Sequence, residues 1–355
     1  MEGALVTLPE FHAFVVRCMR AAGIETDDDA GVLADLLVSA DYRGHYSHGL
    51  NRLDMYIQDV TSGLTATRGS PTVVKETVAT ALVDGNNVLG PVVGRFCTDL
   101  AIEKAKTAGI GWVSARHSNH FGIAGWYGLR ALEHGMVGMA FTNTSPLMYP
   151  TRGKEAVLGT NPICVAAPAK DGDSFVLDMA TTSVAFGKVE LADRVEKPIP
   201  EGWALDAEGR ATTDPKKATG LCPLGGTEET SGYKGYGLGM MVEIFCGIMS
   251  GSLYGHHVRK WKEEKPLTEA NLGQCFVAIN PAAFEDGFED RLGELIQHCR
   301  SLPMSGEDPV LIAGDPERIH MAKCDKQGGI LYHPNQIQNA NEIASRLNVA
   351  PMKTR

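Results

Sequence analysis

Between residues 7 and 61 apolar positions recur at the three-to-four-residue step of amphipathic helices. Thr7-Leu8-Pro9-Glu10 has the form of a capping box, which predicts a helix from there to about Gly23. Asp27, Asp28 and Asp29 put negative charge at the positive end of a second helix, whose apolar set is Val32, Leu33, Leu36, Leu37 and Ala40 and which Gly44 closes. A third helix is expected from Ser47 or His48 to about Thr61, so the N-terminal segment reads as a small helical unit.

From Thr72 the pattern changes to β-branched alternation, "TVVKETVATALVDGNN", a strand pair ending in an Asp-Gly turn. A helix from about Pro91 to Ala108, the strand "GIGWVSA", the loop "RHSNHFGIAG", a helix to Gly135 and the strand "MVGMAFTN" follow. Two more apolar strands, "PICVAAPA" and "SFVLDMAT", precede a helix near 183–193, and "ALDAEGRATT" suggests an exposed hairpin. The segment 235–250 is apolar enough for a central helix. Beyond it come a strand near 274, an acidic helix, a strand "PVLIAG" and a polar helix near 334–347. Strands alternating with helices predict an α/β fold in which helices flank a sheet.

Composition narrows the function. A net charge of -10 with no basic run excludes a general nucleic-acid binder, since that affinity depends on Lys and Arg neutralising phosphates. The eight cysteines are scattered without a CxxC pair, as expected of buried thiols in a reducing cytoplasm, and the N-terminus lacks the apolar core of a signal peptide. The most membrane-like stretch, residues 236–255, carries Glu243 at its middle, so no membrane association is expected. Asn143-Thr144-Ser145 matches the glycosylation pattern by chance.

The chemistry concentrates in "RGHYSHGLNRLDMY", residues 43–56. On a helix, His48, Arg52 and Tyr56 fall on successive turns of one face. An arginine can grip a carboxylate with two parallel hydrogen bonds, and an imidazole one turn away can exchange a proton with the neighbouring oxygen. Oxidation of a 2-hydroxy acid, or reduction of a 2-oxo acid, needs that pair. Ser47 can cap the helix or relay the proton. The plainer alternative is a polar helix start with a solvated stripe. His45 and His48 lack a companion metal ligand, and so do His117 and His120 in "RHSNHFG", so no metal is expected. That second loop lies between a strand and a helix, where Gly122 and Gly125 allow close backbone approach and free amides can hold phosphate. Asp178 in "LDMATT" and Lys234 in "GYKGYGLG" suit a ribose or an anion. No G-x-G-x-x-G and no Walker pattern occurs, so a nicotinamide nucleotide would bind without the standard fingerprint.

"SADYRGHYSHGLNRL", "HSNHFGIAGWY", "GTNPICVAAPA", "LDMATTSVAFGKVE" and "GYKGYGLGMMVE" stand in the order and spacing of the malate/L-lactate dehydrogenase type 2 family, the sulfolactate-dehydrogenase-like oxidoreductases, which the chain resembles from about Phe11 to Leu347. The family also includes ureidoglycolate dehydrogenase and piperideine-2-carboxylate reductase. The resemblance implies an NAD- or NADP-dependent homodimer acting on a small carboxylate, with a non-Rossmann nucleotide-binding mixed sheet. It implies an N-terminal helical unit at 1–70 packing with 315–355, a substrate domain from 71–115 and 255–314, and a nucleotide domain at 116–254. Ser47 and His48 resemble the catalytic pair, with His120 a competing acid-base group. Arg52, Tyr56 and Thr160 would meet the substrate. His120, Phe121, Gly122, Ile123, Ala124, Asn143, Asp178, Met179, Ala180, Lys188, Lys234 and Gly235 would meet the cofactor. Ser305 and Gly306 stand where the family has a Pro-Gly-Glu triplet, and Arg152-Gly153 replaces paired glycines. The expected activity is hydride transfer to or from a malate-, lactate- or sulfolactate-like acid. The alternatives are reduction of a cyclic imino acid, a catalytically idle binding or structural member, or a metal hydrolase.

Overall fold

The computed structural model describes residues 3–194, 196–260 and 268–355. The chain starts with β1 (Ala4–Val6), α1 (Leu8–Ala22) and α2 (Asp27–Tyr42). Both helices are capped as their sequences demand: Thr7 Oγ1 accepts from Glu10 N–H, Thr26 Oγ1 from Asp29 N–H, and Gly23 ends α1 in the left-handed conformation. Phe11, Phe14, Val15, Cys18 and Met19 of α1 interlock with Leu33, Leu36 and Leu37 of α2, all fully buried. Next come α3 (Leu53–Thr61), β2 (Thr72–Glu76), β3 (Thr80–Asp84), α4 (Gly90–Ala108), β4 (Ile110–Ser118), α5 (Gly125–Leu132), β5 (Val137–Thr142), β6 (Ile163–Pro168) and β7 (Ser174–Met179).

After α6 (Phe186–Arg194), three short strands, β8 (Ala204–Leu205), β9 (Ala211–Thr212) and β10 (Gly220–Leu221), form a small sheet that includes the expected hairpin. The remainder is α7 (Gly232–Glu243), a π-helical extension Ile244–Ile248, β11 (Leu272–Ile279), α8 (Phe288–Arg300), α9 (Asp315–Gln327), β12 (Ile330–Tyr332) and α10 (Pro334–Leu347). The main sheet has the order β2-β3-β4-β11-β5-β6-β7, and only the β3–β4 pair is parallel. It is thus one mixed sheet drawing strands from 71–115, 116–254 and 255–314.

Its central strand, β11, is buried along both faces because both are covered, and its one polar side chain, Gln274, is hydrogen-bonded to Ser118 and Asn119 O. Phe276 and Ala278 enter the large core shared with α4, α5 and the N-terminal helices, whereas Cys275 and Val277 pack with Val242 and Cys246 of the α7 segment. The N-terminal helices are closed by the chain's far end. β12 pairs antiparallel with β1, Val6 opposite Ile330 and Ala4 opposite Tyr332.

Three expectations need correction. "PVLIAG" is not a strand; it meets the sheet through the Val176 N–H donated to Ala313 O at 3.0 Å. The α7 segment is not central. Tyr233, Met240, Ile244, Ile248 and Met249 face solvent, and only the opposite side is buried. The third helix starts at Leu53, later than the chemistry-based spacing assumed.

Candidate active site

His48 lies in a turn ahead of α3. After α2 the chain bends at Gly44 (φ 90°), His48 N–H donates to His45 O, and a 3₁₀ turn at Leu50–Arg52 leads into α3. The bend is set by Asp41, which accepts Leu50 N–H at 2.9 Å and lies so close to Gly49 that a Cβ there would overlap its carboxyl group. One helical face therefore does not explain how the predicted residues meet, yet four of them meet. Ser47 Oγ is 2.9 Å from His48 Nδ1, and Arg52 Nε–H donates to Ser47 O at 2.7 Å. Across from them, the His120 ring stacks on His48 with centroids 6.0 Å apart and planes within 20°. Tyr56 OH is 2.6 Å from His120 Nδ1.

Electrostatics push both imidazoles the same way, and their hydrogen bonds tell them apart. Burial, reinforced by Arg52 and His45, pushes His48 down to about 4. Burial, then His48 and Arg52, push His120 well below its ordinary value. Both side chains remain part-exposed, so surrounding protein keeps them neutral without sealing them from a ligand. Gly122 N–H points at His120 Nδ1 from 3.2 Å, and a backbone amide can only donate. Nδ1 is therefore the acceptor, and the proton of neutral His120 sits on Nε2. Burial also pushes the Tyr56 phenol up, which keeps its proton available for the same nitrogen.

The loop after β4 delivers His120 and then Phe121, Ile123 and Ala124, whose side chains are buried, while Gly122 (φ 76°) turns the chain against Leu36. Asp178, at the end of β7, accepts Gly125 N–H at 2.7 Å at the start of α5. A Cβ on Gly125 would come within 2.7 Å of that carboxylate, so the close approach requires glycine. Burial raises the Asp178 carboxyl, with His45 and Arg43 pulling against it and Glu317 adding to it. Asp178 thus borders the residue 43–48 turn, and Met179 and Ala180 follow it part-exposed. Thr160 O accepts both Thr181 N–H and Thr181 Oγ1–H.

Asn143 is fully buried: its amide donates to Glu243 Oε1 and Leu253 O, its Oδ1 accepts Gly273 N–H, and its backbone is paired with Gly273 O and Thr142 Oγ1. Lys188, Lys234, Ser305 and Gly306 are exposed, Lys188 near the Trp203 ring and Lys234 near Tyr233, while Gly235 is buried against Leu224. Among the described residues none of these joins the histidine cluster by a hydrogen bond. His117 binds Asp84 at 2.9 Å beside Arg116, forming a clamp at the root of the loop. Among the described residues, no group of three or more His, Cys, Asp or Glu could hold a metal ion, and no helix is long and apolar enough to cross a membrane.

Sequence reasoning missed a buried ion pair at this site. Arg259 Nη2 meets Asp59 Oδ2 at 2.5 Å, and its charge is among those depressing His120. Asp59 lies one turn beyond Tyr56, but its partner is 200 residues away, and no local pattern announces such a pair.

The family model for malate/L-lactate dehydrogenase matches residues 6–340. The chain belongs to that family. It is 41% identical to the malate dehydrogenase of Pyrococcus horikoshii over 95% of this chain and 94% of the relative. It is 36% identical to the (2R)-3-sulfolactate dehydrogenase (NADP(+)) of Chromohalobacter salexigens, over 82% and 86% of the two chains. Its fold is similar to the crystal structure of malate dehydrogenase from Entamoeba histolytica, with a TM-score of 0.91, 31% identity and coverage of 98% and 99%. As a member of the malate/L-lactate dehydrogenase family the chain is an oxidoreductase of dehydrogenase type, built on the mixed, helix-flanked sheet expected from its sequence. The family motifs fall where the geometry gathers them: the first carries Ser47, His48 and Arg52, the second His120, and the fourth Asp178.

Proposed function

We propose that this dehydrogenase catalyses reversible hydride transfer between NAD or NADP and C2 of a small 2-hydroxy or 2-oxo acid of the malate, lactate or sulfolactate class. The observation that carries the reading is the pairing of the Ser47-bonded His48 with His120 across 6.0 Å, beside Arg52. Arg52 spends its Nε–H on Ser47 O, which fixes the guanidinium plane and leaves the terminal nitrogens to meet a carboxylate. In the oxidation direction His48 takes the hydroxyl proton on Nε2 while Ser47 holds its Nδ1, and in reduction it returns that proton. His120 donates its Nε2–H to the C2 oxygen, a hydrogen bond that serves both hydroxyl and carbonyl.

The residues present fit a nicotinamide nucleotide. The first turn of α7 exposes Lys234 at the positive end of the helix dipole, so a dipole and an ammonium coincide where a pyrophosphate can lie. We assign the loop at 121–124, Asp178, Met179, Ala180, Lys234, Gly235, Ser305 and Gly306 to that group, with Lys188 at its margin and Thr160 beside the substrate. The nicotinamide supplies or accepts the hydride at C2. We further propose a homodimer, supported by the solvent-facing strip of Tyr233, Met240, Ile244, Ile248 and Met249, and a cytoplasmic setting, supported by eight free cysteines.

The test is steady-state assay of oxaloacetate, pyruvate, sulfopyruvate and piperideine-2-carboxylate with NADH and with NADPH. Turnover of an oxo acid that disappears in His48→Ala while nucleotide still binds supports the reading. Turnover of the cyclic imine alone moves the activity to imino-acid reduction. No turnover with any of the four overturns it.

A further inference from the structure

One buried acid beneath the Ser47–His48 turn has no part in the chemistry above. Asp41 is fully buried at the C-terminal end of α2, where the helix dipole disfavours negative charge. Its Oδ2 accepts Leu50 N–H at 2.9 Å and Tyr332 O–H at 2.7 Å. Its Oδ1 has no hydrogen-bond partner among the described residues. The titratable groups facing it are Tyr332 from β12, Tyr46 from the turn, edge-on to Tyr332, and Cys324 from α9. No cation pairs with it among the described residues. A fully buried carboxyl with one idle oxygen is an unfavourable way to fill space, so its value lies in what it holds.

It holds the two residues that follow His48. The Oδ1 edge abuts the Cα of Gly49, where any side chain would collide, and the Oδ2 edge binds the next amide. Arg52 Nε–H bonds back across the same turn to Ser47 O. A shift of the 49–50 backbone therefore moves the proton carrier and the carboxylate clamp together, whereas His120 comes from the loop after β4 and stays in place.

We infer that Asp41, seated between Gly49 and the Tyr332 hydroxyl, is a positioning residue that sets the register of Ser47, His48 and Arg52 against His120. This rests on the dehydrogenase reading for its kinetic consequence. The positioning itself is readable without turnover, because a displaced His48 changes its surroundings.

The test compares Asp41→Ala, Asp41→Asn, Gly49→Ala and the double variant Asp41→Ala/Gly49→Ala, with turnover normalised to the NADH-binding sites present. The His48 imidazole titration is followed by NMR in the same samples. Asn keeps an oxygen for both donors, and Ala keeps none. The expected result is a kcat loss of about 10²-fold in Asp41→Ala and in Gly49→Ala, the size that misplacement of a reacting group by ~1 Å produces. NADH affinity stays within about threefold of the parent in each, as it must if positioning rather than the nucleotide site is disturbed. Asp41→Asn retains most of the activity, and the double variant is no worse than the poorer single one, because both changes disturb one contact. His48 titrates closer to ordinary imidazole in Asp41→Ala and unchanged in Asp41→Asn. Unchanged turnover per site in Gly49→Ala, or losses that multiply in the double variant, overturns the proposal. If Asp41→Ala does not fold, Asp41→Asn and Gly49→Ala decide it alone. A parent that turns over no oxo acid sinks the dehydrogenase reading, while the His48 titrations still report on the clamp.

Discussion

The histidine cluster and the knot around Glu243 are both polar groups set into the protein, but they are finished differently. Glu243 is buried in the apolar α7, and its carboxylate accepts from the side-chain amides of Asn143 and Asn161 and from Gly255 N–H. Asn161 also donates to Gly239 O and accepts Thr144 N–H. Each polar atom there is matched, and the result ties α7, β5 and the loop before β6 into one piece. In the cluster, among the described residues, His48 has one nitrogen bonded and Arg52 only its Nε, which leaves capacity for the proposed substrate. A saturated network specifies shape, whereas an unsaturated one prepares for a reaction.

Substitutions can break this contrast. His48→Ala should lower turnover by about 10²- to 10⁴-fold, the usual range for loss of a general acid-base group, while thermal unfolding shifts little. Arg52→Lys should raise the KM for the carboxylate substrate by about tenfold or more and change kcat less, since an ammonium cannot reproduce the planar fork. Glu243→Gln should show the reverse signature. It sets an amide donor against the two asparagine amides and should reduce stability by about 1–3 kcal/mol in denaturant melts, with turnover per folded molecule preserved. A Glu243→Gln enzyme that melts like the parent but loses turnover would erase the distinction.

Titration sharpens the comparison with smaller effects. Because His48 is held down to about 4, kcat/KM for hydroxy-acid oxidation should stay level as pH falls through the ordinary imidazole range and drop only on approach to that value. The same depression costs stability in acid. Between about 6.5 and 4 the unfolded chain binds a proton that folded His48 refuses, so stability falls as pH is lowered, and His48→Ala should flatten part of that slope in pH-dependent melts. Asp41 runs the opposite way. Its carboxyl is raised to about 7 by burial, so between about 4 and 7 the folded form keeps a proton that the unfolded form has lost. Stability of the parent relative to Asp41→Asn should therefore decline as pH rises through that window.

Much of this arrangement was legible in the sequence. Thr7 and Gly23 marked α1 to within a residue, and a strand was expected near 274, where β11 runs. Other parts had no local signature. α9 was missed because only Asp315 and Cys324 of its residues are buried, leaving no apolar stripe to read. Ser47, His48, Arg52 and Tyr56 were recognised as a group, but the helical spacing that grouped them is not what brings them together. A side-chain contact between Asp41 and Gly49 bends the chain, and 3.6-residue periodicity contains no information about such a contact. Asn143 was legible as polar and near a motif, yet its depth and its pairing with Glu243 depend on a helix 100 residues onward.

The pairing of β1 with β12 fixes when, as well as where, the protein becomes competent. The turn bearing His48 is made well before the Tyr332 hydroxyl, which donates to Asp41 from 291 residues further along the chain, and before the strand that pairs with Val6. A nascent chain stalled short of residue 330 holds every proposed reacting side chain and lacks the brace beneath them. Under the positioning role inferred for Asp41, competence then waits on the synthesis of β12 and its pairing with β1.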